Sequence, residues 1–359
     1  MKINNKNIHS RSLYIFFVYL SLNLFFFSTT KVEVKAFEIE NIDISRPFEI
    51  NFDKNKVIDA GFKKAFFELV SSIVSSTDQK KVNKIKLNEI KGMVESFSIK
   101  EEKFVDEIYY VNLGVTFDKK EIFSYLEKKN IFPSTPLKKK FLFIPIIIEE
   151  NKKDLLMFYD NKIFNEWNNY SKNFHLINYV LPTEDIEDLN LIKNKYDSLE
   201  QYDFKEVTNK YNLDNSIVVL VFKNEKEIRV LSRITIKDDV ILKNQSFSNV
   251  DIDNDQELKN IINNLKVAYE DYWKKFNQIN TSIKLPLNIK VKNTNSTKIL
   301  NFEKVLNETD LIYNFFVSKF DKNFTHYQII YNSTPSNFLK KMEDNNYNFD
   351  TQNKVWILK

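Results

Sequence analysis

The chain of 359 residues contains no cysteine. That excludes disulfides, a thiol nucleophile and lipid attachment of the bacterial lipoprotein type. Glycine is almost as scarce, with Gly61, Gly92 and Gly114 the whole complement. Neither G-x-G-x-x-G nor G-x-x-x-x-G-K-[ST] can be written with three glycines so placed, which argues against Gly-rich-loop NTPases, kinases and dinucleotide enzymes. A G-x-S-x-G nucleophile elbow is missing for the same reason. Histidine occurs at 9, 175 and 326 only, and none has a second histidine at metal-ligand spacing. Any zinc site would need carboxylates brought in by the fold. His175 alternates with Phe174 and Leu176, and His326 sits beside Tyr327; both read as ordinary strand histidines. Beyond residue 36, arginine is reduced to Arg46, Arg229 and Arg233, while Asn, Lys, Ile and Phe abound. This is the signature of an AT-rich genome, with Lys in place of Arg and Asn or Asp at turn positions usually given to Gly.

Long apolar runs are also few. Leu13 to Phe27 is apolar except for Ser21 and Asn23, preceded by Lys2, Lys6 and Arg11. A run of that length suits the h-region of an export signal better than a membrane span of about 20 residues. Val34 and Ala36 then place small or modest side chains before a cleavage point at Phe37. The expectation is a signal peptide over residues 1–36, removed on export; the rival is an uncleaved anchor. With the codon bias, this points to the periplasm of a low-GC Gram-negative bacterium. The formal charge of +4 belongs to that segment. Residues 1–36 hold five of the 53 basic and one of the 49 acidic residues, leaving 48 of each beyond them. Nucleic acid is therefore not expected as a partner, and a membrane only through the N-terminal segment if it stays uncleaved.

Three small α+β units are predicted, each a mixed α/β sandwich-like layer pair. The first, 37–132, opens with a weakly alternating strand. Its main helix sets Ile58, Phe62, Ala65, Phe66, Leu69, Val70 and Ile73 on one face. A hairpin over 96–117 follows, with Tyr109, Val111, Leu113, Val115 and Phe117 turned inward, and then a helix started by Asp118 and Glu121. Pro133 and Pro136 mark a linker. The second unit, 141–280, opens with the buried strand Phe141–Ile148. Strands are predicted over Leu155–Tyr159 and Phe174–Leu181, three more at hairpin spacing between 216 and 247, and a closing helix carries Leu258 to Phe276 at helical period. The third, 283–359, reads β-α-β-β-α-β, the order of ferredoxin-like domains.

Two groups remain as candidate chemistry. Glu184, Asp185, Glu187 and Asp188 follow the strand-ending Pro182 and could hold a divalent cation or act as acid and base. Acids at a helix start also complement the helix dipole, which is the plainer reading. Tyr269, Tyr272, Trp273 and Phe276 could stack on a sugar or peptide, or could be core. Asp251, Asp253 and Asp255 open like a calcium loop, but Gln256 and Ile262 stand where its Gly and Glu belong, so capping of the long helix is expected instead.

An ordered set of features resembles a bacterial family of exported proteins with the domain of unknown function numbered 2066. The features are the signal peptide, the helix DAGFKKAFFELV, the strand end VNLGVTFD with the helix KKEIFSYLEKKNI, the Leu181-Pro182…Asp185 turn and the final VWILK. The chain departs from that family at LKKKF, where Arg and Trp are frequent. The resemblance implies an envelope location and no established activity. More distantly, the second unit looks like α/β domains of periplasmic Tol-system and outer-membrane assembly partners. Together these readings point to a non-enzymatic envelope binding or assembly module with unidentified envelope protein partners and no cofactor. The alternatives are a carboxylate- or metal-dependent periplasmic hydrolase using the 184–188 cluster, and a small-solute or glycan binder using Tyr269 and Trp273.

Overall fold

The computed structural model describes residues 37–224, 227–309 and 311–359; the predicted export segment, 1–36, lies outside them. The first sheet is built on the alternation of β3 (Ile108–Phe117). Its Tyr109, Val111, Leu113, Val115 and Phe117 are buried, as the pattern requires. β1 (Glu38–Pro47) and β2 (Val94–Val105) flank it on either side, both antiparallel. The β2–β3 turn is Asp106-Glu107, both left-handed at φ 51° and 60°. Hairpin turns of this twist usually take Asn or Gly, and here an acidic pair does the work in a glycine-poor chain. α1 (Lys54–Ile73), whose first turn is capped by the Asp53 carboxylate, lays Phe62, Phe66, Leu69 and Val70 across this sheet. α2 (Leu87–Met93) and α3 (Lys119–Lys128) complete the layer. Asp118 accepts from the amides of Lys120 and Glu121 at the start of α3. Its own N–H goes to the Met93 carbonyl, so the return half of a capping box is not used.

The second sheet runs β5 (Asp154–Leu156), β4 (Lys139–Glu149), β7 (Asn215–Lys223), β8 (Glu227–Ile236), β9 (Asp239–Ser248), with β6 (Ile177–Val180) alongside β4. β4 is parallel to β6 and β7 and is buried on both faces, which explains its unbroken apolar run. Phe141, Phe143 and Ile147 face α6 (Asp255–Phe276) and Trp167, the latter just beyond α4 (Lys162–Glu166). Leu142, Ile144, Ile146 and Ile148 face Ile192 of α5 (Ile186–Lys193), with Phe204 and Val207. Two predicted strands shorten. Leu155–Tyr159 gives way to a 3₁₀ turn at Phe158, and Phe174–Leu181 begins only at Ile177, which leaves His175 in the preceding turn.

The third sheet has the order β11 (Ile312–Phe320), β12 (Phe324–Tyr331), β10 (Leu285–Lys292), β14 (Trp356–Leu358), β13 (Phe349–Asp350). α7 (Ser296–Glu308) and α8 (Pro335–Glu343) supply Phe302, Leu306, Phe338 and Met342 to its core. The predicted β-α-β-β-α-β order holds through α8. The chain then closes with a short hairpin, so that β14 runs parallel to β10 where a ferredoxin-like last strand would run antiparallel. The cause lies in the sequence: Asn345, Asn346 and the polar 351–354 stretch leave room for two short strands where one was expected. All three sheets, with their helices, make an α+β fold within one compact unit, Ala36–Lys359.

At Gly61 α1 passes close against the side chains of the sheet. A Cβ there would run into the buried Leu113 side chain, whereas one at Gly92, in α2, meets open space. Gly61→Val is therefore expected to destabilise by about 1–3 kcal/mol through overpacking. Gly92→Ala should stabilise by up to about 1 kcal/mol through helix propensity. Urea titration of the two variants would show opposite shifts in midpoint; the same sign for both would contradict the close approach at Gly61.

Candidate functional site

The acidic cluster is a helix start. Asp185 caps α5, accepting from the Glu187 amide at 2.8 Å. Lys210 then bridges Asp185 at 3.1 Å and Asp188 at 2.6 Å. Asp188 is buried, while Glu184 and Glu187 are exposed. The Glu187 amide, and after it Lys210, hold the Asp185 carboxyl below its ordinary range. The two carboxylates, Asp188 foremost, hold the Lys210 ammonium above its ordinary range. The structure thus brings together Asp185 and Asp188 with one lysine between them. Among the described residues, no group of three or more His, Asp or Glu could hold a metal ion. Asp251 and Asp253 serve as turn and ion-pair partners: Asp253 bonds Lys223 at 2.8 Å and Lys162 at 3.0 Å, and Asn254 is the residue that caps α6.

Tyr269 and Trp273 are core. The Tyr269 hydroxyl shares a 2.7 Å hydrogen bond with Ser232 on β8, and the Trp273 indole donates to the Leu137 carbonyl at 2.7 Å. Tyr272 is half-buried, and Phe276, stacked on Trp273, is exposed. No continuous stacking face for a sugar results.

The polar side chains of α6 that periodicity overlooked are Lys266, Glu270, Asp271 and Lys274. Three of them stand four apart, which places Lys266, Glu270 and Lys274 in one row beside the apolar stripe. That spacing of charges within a buried face was the available signal. Glu270 accepts from the amides of Leu176 and Ile177 at 2.9–3.1 Å, fixing the start of β6. Lys274 reaches the carbonyls of Ser71 at 2.6 Å and Val74 at 3.3 Å, taking up the open C-terminal end of α1. Asp271 accepts from the Ser76 amide and hydroxyl. Burial raises the Glu270 carboxyl and lowers the Lys274 ammonium from their ordinary ranges.

Lys266 differs from the others. It is fully buried, 5.1 Å from the Trp167 ring and 5.2 Å from the Tyr179 ring. Its Nζ, the Trp167 indole nitrogen and the Tyr179 hydroxyl have no hydrogen-bond partner among the described residues. Burial lowers its pKa to about 8, against a smaller opposing pull from Glu270. The ring faces replace part of the lost hydration by cation–π attraction. Burial, followed by Lys266 and Lys274, also lowers His175 to about 4.

A cavity of about 360 Å³ opens where α1, the linker and α6 meet, lined by Ser75, Thr77, Phe132, Asp271, Tyr272 and Lys275. Elsewhere the surface offers open sheet edges. Among the described residues β11 pairs with β12 alone, and β2 with β3 alone. On β11, Phe316 is 46%, Val317 47% and Phe320 71% exposed, and Lys319 is the one charge between Ile312 and Phe320. On β2, Phe97, Ile99, Phe104 and Val105 are exposed, interspersed with Lys100, Glu101, Glu102 and Lys103. No helix among the described residues is long and apolar enough to cross a membrane. No protein-family model matches the chain, and no curated protein matches it.

The Lys266 environment has a pH signature. From about pH 8 to pH 10 the unfolded lysine keeps its proton while the folded one gives it up. The unfolded state then binds more protons, so this residue's contribution to stability rises with pH across that window. Lys266→Met should stabilise the protein at pH 7 by about 1–3 kcal/mol, since the buried charge is replaced by a side chain of similar length. The gain should shrink between pH 8 and 10. A gain that stays constant from pH 7 to 10 in denaturant titrations would show that Lys266 does not titrate there.

Proposed function

We propose that the protein is a non-enzymatic binding module of the cell envelope, which takes up an extended segment of another envelope protein along β11. The observation that carries this reading is the apolar, nearly uncharged open edge of β11. An edge strand presents a row of unpaired N–H and C=O groups, and natural proteins usually protect such an edge with charges. Here the protection is limited to Lys319 and to irregularities between Ile312 and Asn314 and between Val317 and Lys319. Strand addition gives affinity through the main chain and specificity through alternate side chains. Phe316 and Val317, pointing to opposite faces, are the specificity contacts. The export features of the N-terminal sequence support the envelope location. The hydrolase alternative is left with two carboxylates already paired to Lys210.

The small-solute alternative draws on the cavity beside Asp271 and Tyr272. A thermal-shift screen of sugars and amino acids against wild type and Tyr272→Ala decides it: a stabilising compound lost in the variant favours that reading.

For the edge, both Phe316→Glu and Val317→Lys should leave the fold intact, because exposed substitutions rarely move stability by more than about 0.5 kcal/mol. Crosslinking capture from envelope fractions, read by mass spectrometry, should yield a reproducible partner with wild type and lose it with both variants. Equal capture by all three would rule out β11 as the binding edge.

A further inference from the structure

We infer that β2 is a self-complementary edge and that two copies of the protein join through it, antiparallel, about a two-fold axis between Lys100 and Glu101. This concerns a different sheet from the β11 reading and does not depend on it.

The argument starts from a register shift. Against β3, β2 is irregular between Val94 and Ser96 and again between Ile99 and Glu101. Phe97 and Ile99 lie opposite the buried Val115 and Leu113, and Glu102 and Phe104 opposite the buried Val111 and Tyr109. The second irregularity therefore moves the α1-facing side chains from odd to even positions, as a bulge does. Directly opposed residues of antiparallel strands share a face. Faces of a strand with this parity change match those of its own copy when odd positions meet even ones. The register that overlaps the whole of Ser96–Val105 meets this condition. It sets Phe97 against Phe104 of the second copy and Ile99 against Glu102. On the other face, Ser96 meets Val105 and Ser98 meets Lys103. At the centre, Lys100 meets Glu101 and Glu101 meets Lys100, so the charges are complementary twice over.

The surroundings agree with this register. Phe97 and Phe104, both exposed in one copy, become an aromatic pair at each end of the junction. Phe104 already meets the exposed Phe48 edge to face, ring centroids 4.8 Å apart, which extends the apolar surface covered. Glu102, the one charge on the inner face, is paired within its own chain with Lys54 at 2.7 Å and accepts from the Tyr109 hydroxyl at 2.9 Å. The central charges have partners within one copy, Lys100 with Glu40 at 2.5 Å and Glu101 with Lys103 at 3.0 Å. These are exposed pairs, weakened by solvent and exchangeable for cross-copy ones. A neighbour with the wrong charges or the wrong parity is excluded by the same features.

The absence of cysteine makes a covalent test clean. Ser98→Cys and Lys103→Cys variants, each alone, should give little disulfide-linked dimer under mild oxidation, whereas a mixture of the two should give it readily. Light scattering on wild type should show mass rising toward a dimer with concentration. Glu101→Lys, which sets two pairs of like charge face to face, should weaken the dimer about tenfold, and Lys100→Glu/Glu101→Lys should restore it. Circular dichroism checks that every variant folds. A wild type that stays monomeric into the high micromolar range overturns the inference, as does a dimer that is indifferent to Glu101→Lys and gives no mixture-specific crosslink. Neither result touches the β11 reading, which is scored by the Phe316 and Val317 variants.

Discussion

The arrangement of this protein depends on what the polar side chains of one helix hold. α6 spans the second sheet with its apolar stripe, and from its C-terminal half it grips what comes before it in the chain. Lys274 closes the carbonyl end of α1, Asp271 caps the turn after it, Trp273 anchors the linker at Leu137, and Glu270 fixes the start of β6. Beyond the helix, Ile279 donates to the Pro133 carbonyl and packs into the core of the first sheet. Charges so buried are costly to desolvate, and leaving one partner unpaired is worse than never having the pair. They therefore add less to net stability than to specificity. An α6 shifted by one residue would draw the buried Lys274 ammonium away from the Ser71 and Val74 carbonyls, of which Val74 alone keeps a second donor, Gln79.

The third sheet is tied on more lightly. Lys119 at the start of α3 reaches the Thr309 carbonyl, Lys284 pairs with Glu127 near the surface, and Asn332 holds the carbonyls of Thr281 and Ile283. Apart from the Asn332 bonds these are exposed or half-exposed contacts of small individual worth. Here the interactions orient the sheet, and its stability comes from its own core of Phe302, Tyr327, Ile329, Phe338 and Met342. β11 is left at the free margin of that sheet. The binding edge proposed for β11 would thus lie on an element whose own fold does not rely on a partner.

One turn before the gripping residues of α6 sits Lys266, a cation beside two aromatic rings and without a hydrogen-bond partner among the described residues. Glu270, one turn on, is engaged by the amides of β6 and lends only a weak opposing pull on its titration.

Much of the fold was legible in the residues. The alternation of β3, the period of α1 and α6 and the doubly apolar run of β4 fix which faces are buried, because burial of apolar area outweighs the other local terms. Pro335 at the start of α8 and Asp185 at the start of α5 mark helix beginnings for equally local reasons. The candidate site was less legible. Tyr269 and Trp273 at helical spacing are more often core than a stacking face, but spacing alone leaves both open; the sheet laid against them decides, and it buries both. The carboxylates of 184–188 await a partner that sequence order hides, Lys210. The β14 reversal turns on a strand of three residues, too short for alternation to declare a direction. Sequence alone thus determines the elements and the classes of chemistry that the chain lacks the residues to perform, since those follow from near-neighbour spacing and composition. Which charges are buried, which partners they meet and which sheet edges stay open are decided by tertiary structure, because each depends on residues tens to hundreds of positions apart.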